Sequence, residues 1–96
     1  SPDMPAVTFT VRWPDGQETV AYSPSTVIHQ HLEHNTYYPM EEFLQRAETA
    51  LDAASERVRE LKGFYCSAAM DTLSQLRHAS RSFSQGEVHV CFTQTL

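Results

Sequence analysis

Several common signatures are missing from this chain, and each absence removes a class of function. Glycine is scarce: Gly16, Gly63 and Gly86 are the only three, and none are neighbours, so no glycine-rich loop is available to cradle a phosphate. Basic residues are also few. Seven Lys and Arg stand against twelve Asp and Glu, for a net charge of −5. With those bases unclustered, binding to a phosphate backbone is not expected. No apolar run approaches the ~20 residues that a membrane-spanning helix requires, and no signal-peptide core is present. There are two cysteines, and without an export signal they read as free thiols in a reducing cytoplasm. A serine elbow for Ser/His/Asp catalysis is absent.

What remains is an ordinary globular mixture, 41% apolar and 20% charged over 96 residues. That length suits one domain, 1–96, with enough burial for a core without cross-links. Ser1-Pro2-Asp3 precede Met4, so Met4 reads as the natural start and residues 1–3 as a cloning remnant.

Val7, Phe9, Val11 and Trp13 alternate with polar residues, the period of a half-buried strand. Pro14-Asp15-Gly16 is a tight turn, and Val20 and Tyr22 carry a second strand. Val27, Ile28 and Leu32 fit either a short strand or a helical turn, and 35–38 reads as loop. Pro39 suits the first position of a helix, with Glu41 and Glu42 at the positive end of its dipole. Phe43, Leu44, Ala47, Leu51, Ala54, Val58 and Leu61 recur at helical spacing, and Gly63 fits the left-handed residue after the helix, with Phe64 folding back on Val58. Cys66, Ala69, Leu73, Leu76 and Phe83 make the stripe of a second helix, and Val88, Val90 and Phe92 alternate as a last strand.

The spacing therefore predicts an α+β fold. Strands at 6–13, 17–23 and 87–94 form a small antiparallel sheet, the N-terminal hairpin plus the C-terminal strand. Helices at 40–62 and 67–84 pair as a hairpin on one of its faces. Such a sheet leaves edges and an uncovered face, so homodimerisation is an expected possibility.

Three groups of residues bear on chemistry. His29, His31 and His34 form the densest set of metal-ligand types, but their spacing matches no fixed motif, and a solvated polar loop is the plainer reading. His78 and His89 are distant in sequence. Cys66 falls in the first turn of the second helix, where the dipole stabilises a thiolate. It also falls on the apolar stripe, and no histidine lies near it in sequence to act as base, so a buried structural thiol is the plainer reading. Cys91 points away from the apolar face of its strand and reads as structural or incidental. Glu48, Asp52, Glu56 and Glu60 stand four apart along the first long helix, either as a solvated face or as a docking surface for a basic partner. Glu42 and Arg46 are the one well-oriented opposite pair beside them. Trp13, Tyr37 and Tyr38 read as packing at the edge of the core.

Several of these segments together resemble a family of small bacterial proteins named for the nitrogen-starvation response. The matching runs are Phe9-Thr10-Val11-Arg12-Trp13-Pro14-Asp15-Gly16, Tyr22-Ser23-Pro24-Ser25, Tyr38-Pro39, Glu42-Phe43, Ala54-Ser55-Glu56-Arg57-Val58-Arg59 and Gly63-Phe64-Tyr65-Cys66-Ser67-Ala68-Ala69. The three histidines are not part of that pattern. The resemblance implies a gene neighbourhood with a nitrilase, a radical-SAM protein, an acetyltransferase and a flavoprotein, and hence service to a nitrile-related nitrogen-scavenging pathway. It carries no catalytic residues and no cofactor. The combined reading is a cytoplasmic, non-enzymatic accessory or regulatory protein that binds a protein partner. The alternatives are a thiol-dependent or redox-sensing protein using Cys66, and a metal binder using His29, His31 and His34.

Overall fold

The computed structural model describes residues 5–93. The reading of Met4 as the start and 1–3 as a remnant lies outside them, as does position 94 of the expected last strand. Strand β1 (Val7–Arg12) turns back into β2 (Glu18–Ser23). At the turn Trp13 donates its amide to the Gln17 carbonyl at 2.8 Å, and Gly16 takes φ +89°. That left-handed value is what the glycine supplies.

The segment after the hairpin, ambiguous in sequence, is a short 3-10 turn at Thr26–Gln30. Ser25 caps it by accepting the Val27 amide at 3.2 Å, while Ile28 and Leu32 drop into the core.

Residues 35–38 are not simply loop, and the sheet has four strands rather than three. Thr36–Pro39 forms β3, an edge strand paired antiparallel with β4 (Glu87–Phe92). Four residues are too few for a period to show, and the strand exists because β4 offers it a partner. Tyr38 turns inward and is buried, and its hydroxyl accepts the Glu33 amide at 2.9 Å. Pro39 is tolerated there because an edge strand leaves some amides unpaired. The order is β2-β1-β4-β3, all antiparallel; β4 joins the N-terminal hairpin as expected, and does so at β1.

Helix α1 (Met40–Lys62) begins straight from β3, so Pro39 is its N-cap and not its first helical residue. Gly63 ends it at φ +80°, giving its amide to the Arg59 carbonyl at 2.8 Å. Phe64 does not bury itself over Val58; 61% of its surface is exposed. Helix α2 (Ala68–Ser80) stops four residues short of the expected 84. Serine explains the early end: the Ser80 hydroxyl donates to the Arg77 carbonyl at 2.7 Å, competing with the helix's own bonds. The freed chain turns so that Phe83 stacks on Trp13, centroids 6.1 Å apart and planes 9° from parallel.

Both helices cover the same sheet face. Val7, Phe9, Val11, Ala21, Val88 and Val90 point under them and are buried, whereas Thr8, Arg12, Val20, Tyr22 and Tyr37 on the opposite face are exposed. Among the described residues, no buried side-chain nitrogen or oxygen lacks a hydrogen-bond partner. No described helix is long and apolar enough to cross a membrane.

Candidate functional site

The turn from α1 to α2 opens a cleft. Gly63 stops the first helix, and the second starts only at Ala68, leaving Tyr65, Cys66 and Ser67 to bridge the gap beside the last turns of α1. The cavity there is about 640 Å³, lined by Asp52 and Glu56 from α1, by the three bridging residues and by Met70 from α2. Ser55 forms part of its floor. Of the lining residues Tyr65 is 66% exposed, and Phe64, next to it in the chain, is 61% exposed. Large aromatic groups left in water commonly mark an interaction site.

The structure brings Cys66 together with two members of the acidic stripe, which sequence spacing alone did not join. It also corrects the reading of each. Cys66 is not in the first turn of α2 and not on its buried stripe. Ser67 takes the N-cap, its carbonyl accepting the Asp71 amide at 2.9 Å. Cys66 thus stands one residue outside the helix and is half-buried on the cleft wall.

The acidic stripe is more neutralised than its spacing implied. Besides Glu42–Arg46 at 2.8 Å, Glu48 meets Arg77 at 2.7 Å, Glu60 meets Arg57 at 3.6 Å, and Glu56 pairs with Arg59. Arg77 comes from α2, a partner that spacing within α1 could not reveal. Asp52 is the member of the stripe without a salt bridge among the described residues. Arg59 shows how the mouth receives a guanidinium: it donates Nε to Glu56 at 2.7 Å and lies 5.9 Å from the centre of the Tyr65 ring. The hydrogen bond to Glu56, and then its charge, raises the Arg59 pKa above the usual value.

The three histidines make different contacts, that of His31 through its main chain. His29 packs on Phe92 with centroids 4.3 Å apart. The His31 carbonyl accepts from Arg46 at 3.1 Å, which ties the 3-10 turn to α1. His34 Nδ1 accepts the Phe92 amide at 3.0 Å, closing the end of β4. Among the described residues, no three His, Cys, Asp or Glu side chains gather to hold a metal ion. His78 remains exposed on α2. Trp13 and Tyr38 are buried as core-edge packing, whereas Tyr37 is 62% exposed and leans on His89, centroids 4.5 Å apart and planes tilted by 48°.

One constellation escaped the sequence. On the outer sheet face, Cys91 Sγ lies 3.5 Å from His89 Nδ1, and His89 Nε2 lies 2.7 Å from Asn35 Oδ1. The spacing of His89 and Cys91, two apart on one strand, placed them on a common face. Asn35 comes from 54 positions away, and nothing local marked it.

No curated protein and no solved structure matches the chain. A family model does, and it spans residues 8–94, which include both helices, every residue of the cleft and all of the four strands except Val7 of β1. The chain belongs to the family of nitrogen starvation-induced protein NitG.

Proposed function

We infer that this nitrogen starvation-induced protein is a non-enzymatic accessory or regulatory component of the starvation response, cytoplasmic, which works by holding a protein partner in the α1–α2 cleft. The observation that carries this reading is the cleft's composition. It has Asp52, a carboxylate without a salt bridge among the described residues, on one wall, and exposed Tyr65 at its edge, with exposed Phe64 next to it in the chain. The occupant that fits is a partner segment with a Lys or Arg flanked by apolar residues. Its cation meets Asp52, and its apolar neighbours cover the rim. Arg59 is the internal precedent, a guanidinium accepted by Glu56 beside an aromatic ring. Of the four stripe residues, Asp52 and Glu56 face the cleft, while Glu48 and Glu60 are engaged by Arg77 and Arg57. The nitrile-related pathway implied by the sequence resemblance would supply that partner. Self-association through the open edge of β2 or β3 is compatible with this use, because neither edge strand contributes to the cleft.

The test is capture from nitrogen-starved cells with wild type and Asp52→Lys as paired baits, followed by mass spectrometry. The reading expects one protein retained by wild type, lost from the charge-reversed bait, and released by salt from wild type, since a rim charge pair is screened. Equal retention by both baits would refute it.

A further inference from the structure

On the face of the sheet that the helices leave uncovered, we propose that Cys91, His89 and Asn35 form a nucleophilic thiol site that undergoes exchange with low-molecular-weight disulfides. The three side chains stand in the order such a site requires, a nucleophile beside a base that is itself held by a third group. Asn35 Oδ1 sits 2.7 Å from His89 Nε2. An amide oxygen only accepts, so Nε2 carries the proton and Nδ1 is left as the basic nitrogen. That nitrogen is the one closer to the sulfur, at 3.5 Å against 4.0 Å for Nε2. The two distances put the sulfur against the ring rather than on a single lone-pair axis. Proton transfer to Nδ1 therefore goes with a rotation of the thiol toward that lone pair.

Asn35 is built for this placement. It has φ +55° and is the one described residue other than glycine with positive φ. Asparagine tolerates that left-handed backbone better than most residues. It stands immediately before β3, where the chain leaves the ladder, and from there its side chain reaches across to β4. The ring of His89 also packs against Tyr37, centroids 4.5 Å apart. Arg12 is opposite His89 in the β1–β4 register and adds a positive charge to this face, although it is bound to Glu18 at 3.1 Å. Thr10 is opposite Cys91.

The surroundings also select the reaction. Acyl transfer from a cysteine needs amides aimed at the developing oxyanion, commonly the one that follows the nucleophile. Here the following amide, that of Phe92, is given to His34 Nδ1 at 3.0 Å, and the next, that of Thr93, to the Thr8 carbonyl at 3.0 Å. Disulfide exchange needs only a thiolate and an open approach. The Cys91 proton passes to His89 Nδ1, and the thiolate attacks one sulfur of the disulfide. The new Cys91 S–S bond forms as the old S–S bond breaks. The departing thiolate takes the proton from the imidazolium, so Cys91 is oxidised and half of the disulfide is reduced.

The test follows mixed-disulfide formation at Cys91 with cystine and with dithiodipyridine, by mass spectrometry of the full chain carrying Cys66→Ser. Native Cys91 should react about tenfold faster than the same cysteine in the urea-unfolded chain, because only the fold supplies the imidazole. His89→Phe, which keeps a ring for Tyr37 to stack on, should abolish that advantage. Asn35→Gly, which keeps the backbone angle, should lower it, and Asn35→Asp, which keeps the acceptor, should preserve it. A native rate at or below the unfolded rate would overturn the proposal, whatever the variants do. An unchanged rate in a folded His89→Phe protein would overturn it equally.

Discussion

The hydroxyl of Thr72 on α2 donates to the main-chain carbonyl of Tyr22 on β2 at 2.7 Å, a bond across 50 positions of sequence. It ties the second helix to an edge strand and thereby fixes the wall of the cleft that α2 provides. Thr72→Val keeps the shape and removes the donor. Stability should fall by about 1–2 kcal/mol, the usual loss for a partly buried bond, as read from urea unfolding. No change would mean that apolar packing alone sets the position of α2.

Gly86 precedes β4 with φ +116°, and a Cβ there would lie 2.9 Å from the Pro14 ring. Its carbonyl also accepts the Met40 amide at 3.0 Å, joining this turn to the start of α1. Gly86→Ala should destabilise by about 1–3 kcal/mol through backbone strain and contact. Pro14→Ala in the same chain should recover only the contact part. Full recovery in the double variant would show that the backbone angle contributes nothing.

His29 and His34 each have a packing or hydrogen-bond partner at Phe92, and on the reading that the three histidines do not act together, equimolar zinc or nickel should leave the melting temperature unchanged. A ligand that binds the native state would raise it. His34→Ala should instead lower stability by about 1 kcal/mol, since the Phe92 amide loses its acceptor. A metal-dependent rise in melting temperature that His31→Ala removes would contradict this account.

How much of this was legible beforehand follows the range of the interactions. The strands of β1, β2 and β4 and the long α1 announce themselves through residues a few positions apart, such as Val7, Phe9 and Val11, or Ala47, Leu51 and Ala54. β3 was missed because a strand of four residues shows no period of its own, and its partner lies 50 or so positions downstream. Spacing puts Cys66 in the first turn of α2, although it stands just before the N-cap, because an apolar period cannot tell that Ser67 takes the cap. The acidic stripe was visible as four carboxylates, but its neutralisation by Arg77 is a meeting of two helices. Asn35 and His89 are the extreme case, joined only because β3 and β4 pair.

Cys66→Ala should cost less than about 1 kcal/mol, since a half-buried thiol outside the helix leaves little cavity. Native Cys66 should still accept a small thiol reagent through the open cleft. A loss of several kcal/mol would return it to the role of a core residue.

Cys66 therefore serves as a built-in reporter for the central claim, that the cleft is where the partner docks. The direct measurement is the rate of Cys66 alkylation in the folded protein, alone and with the captured partner at saturation. Cys91, on the opposite side of the sheet from the helices, is the internal reference. The account predicts that the partner slows Cys66 by about tenfold or more, because docking excludes water and reagent from the cleft, and leaves Cys91 unchanged. An equal Cys66 rate with the partner bound would place the binding surface elsewhere.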